Sequence, residues 1–128
     1  MGLVEIIVAV LLLAVVALCM FPLFANTMQL SRTNILVARA AQIVNTQTDL
    51  ARQQAKLTAT CVAMSSLSVA TPTAVPAMNA EGLTYTRTVS TCPAVYPATM
   101  QVGVRVFSAK TGEELASARA LVVVTAAS

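Results

Sequence analysis

The sequence predicts an α+β fold in which one long N-terminal α-helix packs on a small antiparallel β-sheet. Three observations carry this. An apolar run fills Met1 to Phe24. No glycine or proline occurs between Leu23 and Ala70, and apolar residues recur at helical spacing from Leu36 to Leu57. After Gly82, short stretches alternate between two kinds of side chain at a period of two.

The first stretch reads MGLVEIIVAVLLLAVVALCMFPLF, and no charge follows Glu5 until Arg32. About 20 near-apolar residues rise roughly 30 Å as a helix, the thickness of a bilayer's hydrocarbon core. Residues 1–25 are therefore predicted as a hydrophobic transmembrane segment. Glu5 and Pro22 do not suit a plain anchor. An ionised carboxylate in hydrocarbon gains from a compensating charge. If Met1 is the mature N-terminus, its amine is the nearest cation in sequence, and the amine of a neighbouring chain would serve equally. A staggered assembly of chains would neutralise Glu5 repeatedly. Proline, for its part, lacks the backbone donor that a helix interior requires.

Met1-Gly2-Leu3-Val4-Glu5, the apolar run and Pro22-Leu23-Phe24 together resemble the mature N-terminus of type IV pilins and pseudopilins. Members of that family carry an N-methylated first residue, a glutamate, a small residue and a proline where this chain has Met1, Glu5, Ala14 and Pro22. The departures are Met1 for the usual phenylalanine and Ala14 for the usual glycine. The resemblance implies that residues 1–25 are a polymerisation segment, with Met1, Glu5 and Pro22 acting in assembly and Met1 methylated. It also implies a leader removed by a prepilin peptidase and a pilus assembly machine that extrudes a helical homopolymer. The subunit would wait in an inner-membrane pool before joining an extracellular surface filament.

Three other readings fit less well. A secretory signal peptide has a basic start and an apolar core of about 7–15 residues, whereas this start is acidic and the run is longer. A lipoprotein signal ending at Cys19 would place bulky Leu18 where a small residue is wanted. A single-pass anchor leaves Glu5 unexplained.

Residues 26–57 are predicted to continue the same helix as an amphipathic half. Leu36, Ile43, Leu50 and Leu57 recur every seventh residue, and Val37, Val44 and Ala51 widen the stripe. A coiled coil is disfavoured because Arg39, Thr46 and Gln53 occupy the second seam position. The stripe suits a sheet instead. Asp49 and Arg52 are spaced to meet across one turn.

Residues 58–128 are predicted as the head. Ser, Thr and Pro crowd the stretch 58–81, which reads as a surface loop capable of carrying O-linked sugar. Strands are expected at about 82–91, 100–108 and 114–125. Proline-containing sequence separates the first two, and a turn at Lys110–Glu113 separates the last two. Such a sheet needs a cover, and the amphipathic helix supplies it.

The chain has no histidine, which removes the commonest general base and any Ser-His-Asp or Cys-His arrangement. Glu5, Asp49 and Glu81 fall in separate elements, and Glu113 and Glu114 lie at a hairpin turn. There is no glycine-rich phosphate loop and no metal-ligand cluster. No enzyme, cofactor or metal is expected. Cys61 and Cys92 are expected to bridge in an oxidising compartment, since a small head with a long loop needs a staple; the alternative is two free thiols. Cys19 reads as a small buried hydrophobe.

The function expected from the resemblance is that of a structural pilus subunit serving adhesion, twitching motility or DNA uptake. A minor pilin or type II secretion pseudopilin is the alternative within that class. A DNA-binding pilus-tip module is the alternative outside it. Arg87, Arg105, Lys110 and Arg119 lie on the predicted head, with only Tyr85 and Phe107 for stacking, so DNA is possible but not indicated.

Overall fold

The computed structural model describes residues 2–75 and 82–128. Six elements follow in order: α1 (Leu3–Leu57), α2 (Cys61–Ser65), β1 (Val69–Ala74), β2 (Leu83–Val89), β3 (Ala98–Ser108) and β4 (Glu114–Val124). The chain divides into two compact units, Met1–Ile35 and Leu36–Ser128. In the first unit the described structure is almost wholly helix. The second holds the rest of α1 and all of the sheet.

The sheet is an antiparallel meander in the order β1-β2-β3-β4. Alternation along β3 decides its two faces. Met100, Val102, Val104 and Val106 are buried, while Thr99, Gln101 and Arg105 are exposed. Register then places Ala118, Ala120 and Val122 of β4 beside Val104, Val102 and Met100 on the inner face. Between β3 and β4, Gly112 takes a φ of 70°, a conformation that side-chain-bearing residues rarely adopt. Its amide donates to the Ser108 carbonyl at 2.8 Å, which closes the expected turn.

The C-terminal half of α1 covers this face through two apolar clusters. Ala40, Ile43 and Val44 meet Leu83, Val104 and Val106. Ala51 joins Cys61, Met64, Met100, Val102, Val122 and Val124. The expected seven-residue stripe is only partly the buried one. Ile43, Val44 and Ala51 are buried, but Leu50 and Leu57 are 47% and 81% exposed. On a helix of 3.6 residues per turn, a seven-residue repeat drifts about 20° per repeat. Leu57 has therefore rotated well away from the line of Leu36. The small side chains of Ala40 and Ala51, both fully buried, carry the contact instead.

The stretch 58–81 is not simply a loop: it contains α2 and β1. Thr60 caps α2, its hydroxyl accepting from the Ala63 amide at 3.4 Å. Cys61 and Met64, three residues apart, turn one side of this short helix into the core. β1 forms an edge strand, where Pro72 is tolerated because its outer side needs no ladder bond. Its register shifts between Val69 and Thr73, so no alternation shows in the sequence. The remainder of the predicted loop, residues 76–81, lies outside the described residues.

Candidate functional site

The first turn of α1 carries Glu5, whose amide donates to the Gly2 carbonyl at 3.0 Å. Its side chain is exposed and has no ion-pair partner among the described residues. Met1, expected to supply the compensating amine and the methylation site, lies outside the described residues. Pro22 sits inside α1, which continues to Leu57. The ring has no N–H, so the carbonyl of Leu18 loses the intrahelical donor that position would otherwise provide. Farther along, Thr27 and Thr33 donate their hydroxyls to the carbonyls of Leu23 and Gln29, at 2.7 and 3.1 Å. These polar groups are thereby satisfied within the helix.

The apolar side chains of this segment are not used internally. Leu13, Leu18 and Phe21 are 72%, 75% and 80% exposed. By length and composition, α1 carries a stretch capable of crossing a membrane, and none of that stretch is buried. Cys19, expected as a buried hydrophobe, is instead an exposed free thiol on this segment.

In the head, Cys61 and Cys92 form a disulfide with Cα atoms 5.7 Å apart, as the sequence led one to expect. It joins the first turn of α2 to the segment after β2. The exposed pair Asp49 and Arg52 also meets, with Nη1 of Arg52 donating to Oδ1 of Asp49 at 3.4 Å.

The four expected head cations separate. Arg87 is not a surface residue: it is buried on the inner face of β2. Its Nε donates to the Leu67 carbonyl, and its Nη1 donates to Gln47 Oε1 at 3.0 Å. The reason was legible only in the register, since Arg87 pairs with inward-facing Val104. Tyr85 also faces inward and packs against the core. Lys110 lies in the β3–β4 turn. Arg105 and Arg119 share the outer face of the sheet with Phe107.

No family model, no curated protein and no solved structure matches this chain. Fold and side-chain geometry therefore carry the functional reading.

Proposed function

We propose that this chain is a pilin, a structural subunit of a type IV pilus-like filament that assembles non-covalently through α1. One observation carries the reading. The helix that covers the head's sheet also bears a long apolar segment with nothing buried on it. Burying one large apolar side chain is worth about 1.5–3 kcal/mol, so this segment strongly favours a bilayer or other copies of itself. Glu5 at its start supplies a charge that a lipid environment penalises and a neighbouring amine would offset. A membrane pool followed by extrusion into a helical homopolymer uses both properties in turn. In the second unit, Val37, Leu50 and Leu57 are exposed apolar side chains that neighbouring subunits would also cover.

The test is electron microscopy of fibres sheared from the producing cells, with mass spectrometry of their subunits. The expected result is fibres dominated by this chain, with one methyl group added at Met1. Fibres containing only a trace of the chain would assign it to minor pilins or pseudopilins. Its complete absence from any fibre would remove the reading.

A further inference from the structure

The outer face of the sheet, turned away from α1, carries a hollow that assembly through the helix does not explain. Gly103 of β3 forms its floor. Register sets Thr88 of β2 and Arg119 of β4 on either side of Gly103, and Thr86 and Ser117 on either side of Arg105. With no side chain at Gly103 the floor is bare backbone; a Cβ there would come 2.9 Å from Oγ1 of Thr88. The resulting pocket of about 430 Å³ is walled by Ser90, Gln101, Arg105, Glu114, Ser117 and Arg119. Its size falls within the roughly 300–1,000 Å³ range of small-molecule sites.

The two arginines are the feature that calls for a ligand. Arg105 and Arg119 are diagonal neighbours across β3 and β4, a relationship that puts Cα atoms about 7–8 Å apart. Like charges this close on one sheet face repel. Among the described residues neither side chain makes a hydrogen bond or an ion pair, even though Glu114 lines the same hollow. Two forked donors are thus left facing the solvent over an open floor.

We propose that this hollow binds an acidic saccharide, a sugar chain bearing carboxylates. Guanidinium forks match a carboxylate with two parallel hydrogen bonds. The amide of Gln101 and the hydroxyls of Ser90, Thr88 and Ser117 both donate and accept, as sugar hydroxyls do. The carboxylate of Glu114 only accepts, so it suits a ligand that presents hydroxyl donors beside its negative charge. Next to Arg105 on the same face, half-buried Phe107 lines a second hollow with Thr84, Thr86 and Ser108. That places an apolar ring where a neighbouring sugar's C–H face would rest. A nucleic acid fits less well. It offers an unbroken row of phosphates to a site containing Glu114, and its bases would find one aromatic ring on this face. The inference goes beyond the pilin reading and does not depend on it.

The experiment is calorimetric titration of the full chain in detergent micelles at low salt. Three probes are used: a short oligogalacturonate, the same oligomer with its carboxyls reduced to alcohols, and a single-stranded oligonucleotide of equal charge. The oligogalacturonate should bind, and its reduced form should bind about tenfold more weakly or not at all, the scale of lost charge-assisted hydrogen bonds. Arg105→Gln and Arg119→Gln should each weaken oligogalacturonate binding about tenfold, with Arg119→Lys recovering only part of the loss. These arginines are exposed, so an unchanged circular dichroism spectrum and an intact Cys61–Cys92 bridge are expected in every variant. Absence of oligogalacturonate binding, or binding indifferent to both arginines, would overturn the proposal. So would tighter binding of the oligonucleotide that strengthens further in Glu114→Gln, which would mark a polyphosphate surface.

Discussion

The guanidinium of Arg87 on β2 reaches Gln47 on α1, donating from Nη1 to Oε1 at 3.0 Å, while its Nε donates to the Leu67 carbonyl. One buried cation thus ties the helix, the sheet and the segment leading into β1, without an acidic partner among the described residues. Such an arrangement holds only while both acceptors stay in place, because a buried charge left unpaired is costly. Arg87→Leu is expected to destabilise the head by about 1.5–3 kcal/mol, the range for hydrogen bonds to charged groups. Arg87→Lys should do little better, since an ammonium cannot reproduce the fork. Gln47→Ala should cost about 1 kcal/mol, because Gln47 is itself half-buried and water can take its place beside Nη1 of Arg87. Urea unfolding of the full chain in micelles checks this. The double variant should lose less than the sum of the single losses.

The disulfide gives a second expectation. Cys61 and Cys92 lie 31 residues apart in sequence, and closing such a loop is worth about 3–4 kcal/mol in the chain-entropy model. Cys61 is fully buried in the core cluster, whereas Cys92 is exposed. Cys61→Ala should therefore destabilise more than Cys92→Ala, losing packing as well as the bridge. Before reduction, N-ethylmaleimide should label Cys19 alone. Labelling of Cys61 and Cys92 without a reductant would contradict the bridge.

What the sequence reveals depends on how far each signal reaches. The expected strands at about 82–91, 100–108 and 114–125 coincide closely with β2, β3 and β4, because one buried face imposes alternation on each. β1 stayed hidden because an exposed edge strand with a proline and a shifted register has no such pattern. Five-residue α2 is too short for a helical period, though Thr60 ahead of an apolar group was a capping signal. The inward turn of Arg87 is tertiary information: a charged residue in a strand reads as exposed until its neighbours in register are known. The hollow over Gly103 was equally invisible, since Thr88, Gly103 and Arg119 meet only through strand pairing.

Pro22 carries a third prediction, which concerns the assembled state. In the single chain α1 is helical through Pro22. The missing donor and the crowding of the Leu18 carbonyl make this the weakest point of the helix. In a packed fibre, the segment from about Ala14 to Pro22 is expected to kink or extend locally. Ala14, a better helix former than glycine, should keep the altered stretch short. A density map of the fibre at side-chain resolution would decide it. An unbroken straight helix through Leu18 and Pro22 would rule the prediction out.

Glu5 should be required for filament assembly and much less for membrane insertion or folding of the head. Its side chain is exposed in the first turn of α1 and belongs to the unit Met1–Ile35, whereas among the described residues every buried core residue belongs to Leu36–Ser128. Removing its charge therefore leaves the sheet, the Arg87–Gln47 bond and the Cys61–Cys92 bridge untouched. In hydrocarbon, however, the carboxylate is best tolerated beside a cation, and no charged side chain follows it before Arg32. In the proposed assembly the amine of an adjoining subunit would satisfy that need and fix how the two helices are staggered. Glu5→Gln keeps the size and shape of the side chain and deletes only this attraction. Insertion should become slightly easier, since a neutral amide costs less in a bilayer than an ion. Subunit should then accumulate in the membrane fraction with an intact disulfide, while sheared fibres become scarce. Quantifying the chain in both fractions gives the answer. A normal fibre yield from Glu5→Gln would show that the carboxylate does not direct assembly, and the guiding contact would have to lie elsewhere on the apolar face of α1.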